Sequence, residues 1–274
     1  MRALWLTPLL LGGCPTTDET PEESDTDTDT DTDTDADADT DTDADSDADT
    51  DLPLTNVSGT IYDGSGAALQ GAQIRFCRGE LCLNASSGAD GTFAIPDVQA
   101  FPHSFEVLVP TDATRATGFA AVTLEEGVPK ALSMHLPTLD TPSPLAATAA
   151  WHTVGTGLRV QLATGDLTTP PFLPDATAVA GARVDSTQWP TLDGLTNVHA
   201  MWFTSPFDYH APGGIPVEID NDMGLTAGGT FEVYVGDYES SSWILAGTVT
   251  ENAGVLSGSA MLPLMSTVVL ADPQ

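Results

Sequence analysis

Every odd position from Asp25 to Asp51 is aspartate, and from Asp18 to Asp51 there are eighteen acidic residues and no basic one. Such a segment has no aromatic or branched aliphatic side chain to bury. Nothing offsets the entropy of ordering it, and its charges repel one another. Residues 14–53 are therefore expected to form a disordered acidic tether, spanning at most about 130 Å at full stretch and less on average. Whatever folds must lie after it. The Asp-x-Asp spacing invites a calcium reading, but with Asp47, Asp49 and Asp51 as the first ligands, Leu52 stands where an EF-hand needs glycine and Ser58 where it needs glutamate. Loose counter-ion condensation is the expectation.

Ahead of the tether, Met1-Arg2 supplies one positive charge and Ala3 to Leu11 an apolar run of signal length, too short to span a bilayer. Leu11-Gly12-Gly13-Cys14 resembles the bacterial lipoprotein box. The resemblance implies that residues 1–13 are a signal peptide, that cleavage falls before Cys14, and that Cys14 carries lipid. The alternative is an ordinary secretory leader. The lipoprotein reading places the protein in the bacterial cell envelope, lipid-anchored, with the outer membrane as the expected site.

Only two further cysteines exist, Cys77 and Cys82, the even pair expected of an exported chain. Arg78-Gly79-Glu80-Leu81 between them has hairpin length, so a disulfide across a hairpin base is expected, against two free thiols as the alternative. A ring this small adds only about 2 kcal/mol on loop entropy.

Residues 52–274 hold twenty-two acids against six bases, 22 − 6 = 16 negative charges. There is no basic patch to displace counter-ions from phosphates, which argues against nucleic acid as a partner.

After residue 53, short Val-, Ile-, Phe- and Thr-rich runs alternate with Gly, Asp and Pro. Strands are expected at 57–62, 72–77, 92–95, 104–109, 118–124 and 131–136, the pattern of an antiparallel sandwich. The order Val57-x-Gly59-Thr60-Ile61, Gly66, Leu69-x-Gly71-Ala72-x-Ile74, Asp90-Gly91-x-Phe93 and Val98 resembles the carboxypeptidase regulatory-like domain. That likeness implies a transthyretin-like Greek-key sandwich over 54–137, an accessory module without catalytic residues. Gly59 leaves room for a neighbouring strand, and Asp90-Gly91 turns the chain before Phe93 re-enters the core.

Prolines 137, 142 and 144 mark a linker, residues 138–146. A second β-sandwich domain is expected over 147–274, with strands at 158–162, 179–184, 197–203, 215–219, 230–235, 243–249 and 266–270. The fold class is thus all-β: two antiparallel β-sandwich domains after the tether.

Chemistry is sparse. His103, His135, His152, His199 and His210 lack the spacing of a helical zinc site, and His199 and His210 flank an aromatic group across an expected loop. Gly64-Ser65-Gly66 and Ser257-Gly258-Ser259 read as turns without a nucleophile elbow. No catalytic residue, metal site or cofactor is assigned. The one candidate ligand surface lies in Met201 to His210, where Trp202, Phe207 and Tyr209 would stack on a sugar ring, edged by Asp208, His210, Asp220 and Asp222. Core packing is the rival use of these aromatics, since Trp202 and Phe203 point to opposite faces of a strand. The sequence thus favours a non-enzymatic surface lipoprotein with structural, adhesive or ligand-binding roles, anchored to the membrane by lipid and meeting a glycan or surface protein. A carbohydrate-binding module around Trp202 is the alternative, and a hydrolase in the C-terminal part the third reading.

Overall fold

The computed structural model describes residues 53–171 and 173–274, so the tether and the lipidation expected at Cys14 lie outside the described residues. The described chain is all-β apart from a 3-10 turn at Ser186–Gln188. Seven strands come first: β1 (Leu54–Asp63), β2 (Gln73–Arg78), β3 (Leu81–Ser86), β4 (Thr92–Gln99), β5 (Pro102–Leu108), β6 (Gly118–Thr123) and β7 (Lys130–Leu136). They form two facing sheets, β4-β1-β7 and β3-β2-β5-β6. All pair antiparallel except β1 with β7, which run parallel. Alternation fills the space between the sheets: Ile74 and Phe76 of β2 meet Phe93 and Ile95 of β4 and Phe105 and Val107 of β5.

The glycines expected at close approaches are found there. A Cβ on Gly59 would stand 2.0 Å from the Leu132 carbonyl oxygen, so β1 and β7 pair closely only with glycine at that position. Gly91 adopts φ +75°, and the Asp90 carboxylate before it accepts hydrogen bonds from Thr92 N and Oγ1 at 3.1 and 2.7 Å. The turn returns Phe93 to the core, as the sequence predicts.

The remaining strands are β8 (Ser143–Pro144), β9 (Ala150–Thr153), β10 (Leu158–Leu162), β11 (Ala178–Arg183), β12 (Val198–Ser205), β13 (Tyr209–Asp220), β14 (Thr230–Asp237), β15 (Ser242–Asn252), β16 (Val255–Met265) and β17 (Thr267–Ala271). They make one antiparallel sheet in the order β8-β11-β12-β17-β14-β15-β16-β13-β10-β9. Its ends meet, because Ser143 Oγ on β8 lies 2.9 Å from His152 Nδ1 on β9. The sheet thus curls around a core of its own, containing Leu158, Trp202, Ile215, Val233, Leu262 and Val268.

Ser257-Gly258-Ser259, expected as a turn, instead runs through the middle of β16. A Cβ on Gly258 would stand 2.5 Å from Thr248 O. The glycine permits close strand pairing there, and the flanking serines are exposed.

Every strand pairing joins strands on the same side of residues 137–142. The apolar packing crosses that line. Met201 and Phe203 on β12, Tyr234 on β14, and Val269 and Ala271 on β17 belong to the same buried cluster as Phe76 and Phe105. Strands β12 and β17 are therefore covered on both faces: even positions point into the curled sheet and odd positions toward the first sandwich. The Phe119 ring packs edge-on against Trp243 with centroids 5.3 Å apart, its amide donates to Thr267 Oγ1 at 2.9 Å, and Lys130 Nζ meets Asp193 at 3.0 Å.

Candidate functional site

The seam between the first sandwich and the curled sheet holds a cleft of about 410 Å³, with Arg75, Glu106, Leu173, Phe207, Asp208 and Tyr238 among its lining residues. Each arrives from a different part of the chain. Arg75 on β2 and Glu106 on β5 are direct cross-strand partners, with Nη1 to Oε2 at 3.5 Å. They occupy the outward face of the first sandwich, where strand alternation puts polar side chains. The second half covers that face, so Glu106 is only 3% exposed. Burial pushes its carboxyl above the ordinary range, Arg75 opposes the shift and Asp208 adds to it.

Asp208 lies between β12 and β13 at φ +62°, a left-handed conformation that aspartate tolerates better than most residues. Its Oδ1 is buried without a hydrogen-bond partner, and His210 Nε2 lies 3.7 Å from it. Burial raises the Asp208 carboxyl, His210 opposes this, and Glu239 and Asp237 reinforce it. Two carboxyl groups beside one arginine offer acceptors next to a fork of donors, which suits a polyhydroxyl ligand. Leu173 is exposed and Phe207 half-buried, giving the cleft an apolar wall.

One lining residue, Tyr238, packs against a disulfide. Cys77 and Cys82 are bonded, with Cα atoms 4.0 Å apart, as direct partners across the β2–β3 hairpin. Gly79 takes φ +56° in the two-residue turn, the position where such turns favour glycine. The Tyr238 hydroxyl stands 3.1 Å from Cys77 Sγ and 2.7 Å from Cys82 Sγ, and Ser241 Oγ donates to Cys77 O at 3.1 Å. The hairpin staple thus also joins the two halves.

The aromatic platform expected around Trp202 is not formed. Trp202 is 0% exposed, its indole N–H donates to Thr156 O at 2.8 Å, and its ring faces the enclosed core because β12 is covered on both sides. Tyr209 is buried too, its hydroxyl donating to Pro174 O at 2.6 Å. Of the three aromatics only Phe207 reaches a cleft, together with Asp208. Asp220 and Asp222 are engaged elsewhere, by Arg159 and Arg183. His199 sits on β12 and His210 on β13, with residues 206–208 as the loop between them, and His199 Nε2 contacts Asp272 Oδ1 at 2.7 Å.

Arg75, Glu106 and Tyr238 escaped the sequence reading. Glu106 alternates correctly with Phe105 and Val107, which marks it as outward-facing. Nothing local says that a second layer covers it.

No family model and no curated protein matches the chain. Among solved structures it is similar to a candidate carbohydrate binding protein of Bacteroides uniformis, at 9% identity over 80% of each chain with a TM-score of 0.27. It is also similar to the Bacillus anthracis TIE protein, at 10% identity over 81% of this chain and 48% of that one, TM-score 0.28. A DUF3823 family protein of Bacteroides ovatus matches at 9% identity over 81% and 83%, TM-score 0.23. At such scores these likenesses carry no functional argument.

Proposed function

We propose that the chain is a surface lipoprotein of a bacterial envelope, lipidated at Cys14, whose folded body binds a ligand in the seam cleft without turning it over. The observation that carries this reading is the convergence of Arg75, Glu106, Asp208, Phe207 and Tyr238 from both halves on one cleft with an apolar wall. The resemblance of residues 56–110 to carboxypeptidase regulatory-like domains, accessory modules without catalytic residues, fits the same role. The lipid would hold the chain at the membrane, and the acidic segment would set the body away from it.

A glycan is the ligand class favoured for this cleft. Phe207 offers an aromatic face to the apolar side of a sugar ring, while Arg75 and two carboxyl groups meet hydroxyls. The test is a glycan array with the mature protein and its Phe207→Ala and Trp202→Phe variants. Phe207→Ala should abolish the hits, and Trp202→Phe, a change inside the closed core, should keep them. Binding retained in Phe207→Ala would move the site elsewhere. Turnover of a glycoside, ester or peptide that vanishes in a folded Glu106→Gln variant would overturn the non-enzymatic part. Mass spectrometry of the mature N-terminus checks the anchor: an acylated Cys14 is expected, and an intact leader contradicts it.

A further inference from the structure

Six basic residues lie in the described part of the chain, and five face a carboxylate: Arg75, Arg115, Lys130, Arg159 and Arg183. Arg78 is the exception among the described residues. Its guanidinium lies over the Phe101 ring, 3.8 Å from the centroid, and Nη1 donates to Gln99 Oε1 at 3.2 Å. In a body with sixteen excess negative charges, an arginine held by an aromatic ring and an amide keeps most of its five donors available.

This arginine stands at the mouth of a separate cavity of about 250 Å³, at the end of the first sandwich. Beneath it Phe76, fully buried, stacks on His103 with centroids 4.7 Å apart. The rim carries Leu81, 79% exposed, and Leu83, also exposed. His103 Nδ1 contacts Phe101 O at 2.8 Å. Burial pushes its imidazole below the ordinary value and nearby Arg78 adds to that shift, which leaves Arg78 as the cation of the cavity.

We infer that this cavity binds a small monocarboxylate with an apolar body, its carboxylate paired to Arg78 and its tail laid between Leu81 and Leu83. A planar guanidinium presents paired donors that match a carboxylate, and stacking on Phe101 fixes their direction before the ligand arrives. The leucines give the tail a surface to remove from water. The cavity lies below the usual range of about 300–1,000 Å³ for drug-sized ligands, which restricts the tail to a short one. Asp97 also lines the cavity. Its carboxylate, with the acidic body around it, selects against ligands bearing a second negative charge. This site is separate from the seam cleft and does not depend on the reading of that cleft.

The test is titration of the full mature chain with hexanoate, 1-hexanol, hexylamine, acetate and adipate, followed by amide chemical shifts. Hexanoate should shift Arg78, Leu81 and His103 saturably and bind about tenfold or more tightly than each of the other four probes, the discrimination expected of one charge-assisted pair over an apolar contact. Arg78→Gln should erase the preference for hexanoate over 1-hexanol. Leu81→Ser, a change at an exposed rim, should weaken hexanoate several-fold while leaving acetate unaffected. Equal binding of 1-hexanol or hexylamine, shifts that map away from β2 and β3, an unchanged preference in a folded Arg78→Gln variant, or no saturable shift up to about 10 mM hexanoate would each overturn the assignment.

Discussion

Arg75 and Arg78 are three residues apart on β2 and meet opposite circumstances. Arg75 shares the outward face with Cys77; the second half covers that face, so Arg75 is paired with a buried carboxylate in the seam cleft. Arg78 shares the inward face with Phe76 but lies at the open end of the sandwich, where an aromatic ring and an amide hold it without a carboxylate. In this chain the parity of a strand position does not settle its burial; what covers the face does. Met201 to His210 repeats the lesson, with Trp202 enclosed because β12 is covered twice and Phe207 reaching a cleft because it lies past the strand end.

The largest effect is expected where cover is complete. Trp202→Ala should destabilise the fold by about 3–5 kcal/mol, because it removes a fully buried indole and leaves the Thr156 carbonyl without its donor. Urea unfolding measures it, and a loss under about 1 kcal/mol would contradict a doubly covered β12.

Next comes the staple behind Arg75. Replacing Cys77 and Cys82 by Ser should cost about 2 kcal/mol from loop entropy. It also removes the sulfur contacts of Tyr238, so Tyr238 should respond in the same variant. Tyr238 amide exchange should rise together with that of the hairpin; exchange confined to β2 and β3 would show that the staple does not join the two halves.

Glu106 sets a smaller effect with a definite sign. Its carboxyl is raised above the ordinary 4.5 by burial, so the native state holds its proton to higher pH than the unfolded chain does. The stabilisation linked to that proton is complete below about 4.5 and is lost as pH rises through the raised value. Glu106→Gln should remove this part of the pH dependence and leave stability flatter as pH rises above 4.5. Asp208, also raised, contributes the same sign from its own ordinary value of 3.8. Unfolding curves across this range that are parallel for wild type and variant would show that Glu106 is not desolvated by the second half. The smallest effect belongs to Arg78→Gln, within about 0.5 kcal/mol of wild type, since its charge is exposed and lacks a carboxylate partner.

Much of the fold was legible. Alternation located six of the first seven strands. Asp90-Gly91 was legible because a turn rests on local sterics, and Gly59 because a missing Cβ marks a close approach, although the partner Leu132 is remote in sequence. The hairpin disulfide was legible from the even cysteine pair and its hairpin-length spacing. Strand β3, with Leu81 and Leu83 exposed on an edge, lacks the one-sided burial that alternation detects. Strand β16 was hidden by Ser257-Gly258-Ser259, where glycine serves close pairing instead of turning. The candidate site was mostly illegible. Phe207 and Asp208 stood in the segment singled out for its aromatics, but Arg75, Glu106 and Tyr238 meet them only through the packing of the two halves, which leaves no local pattern.

The central claim is that the two halves share one core and thereby fix the seam cleft. Calorimetry of the folded body tests it most directly. The shared cluster joining Phe76 and Phe105 to Met201, Phe203 and Val269 predicts one cooperative transition with equal calorimetric and van't Hoff enthalpies. Two separate transitions, one for residues 54–137 and one for 147–274, would contradict it.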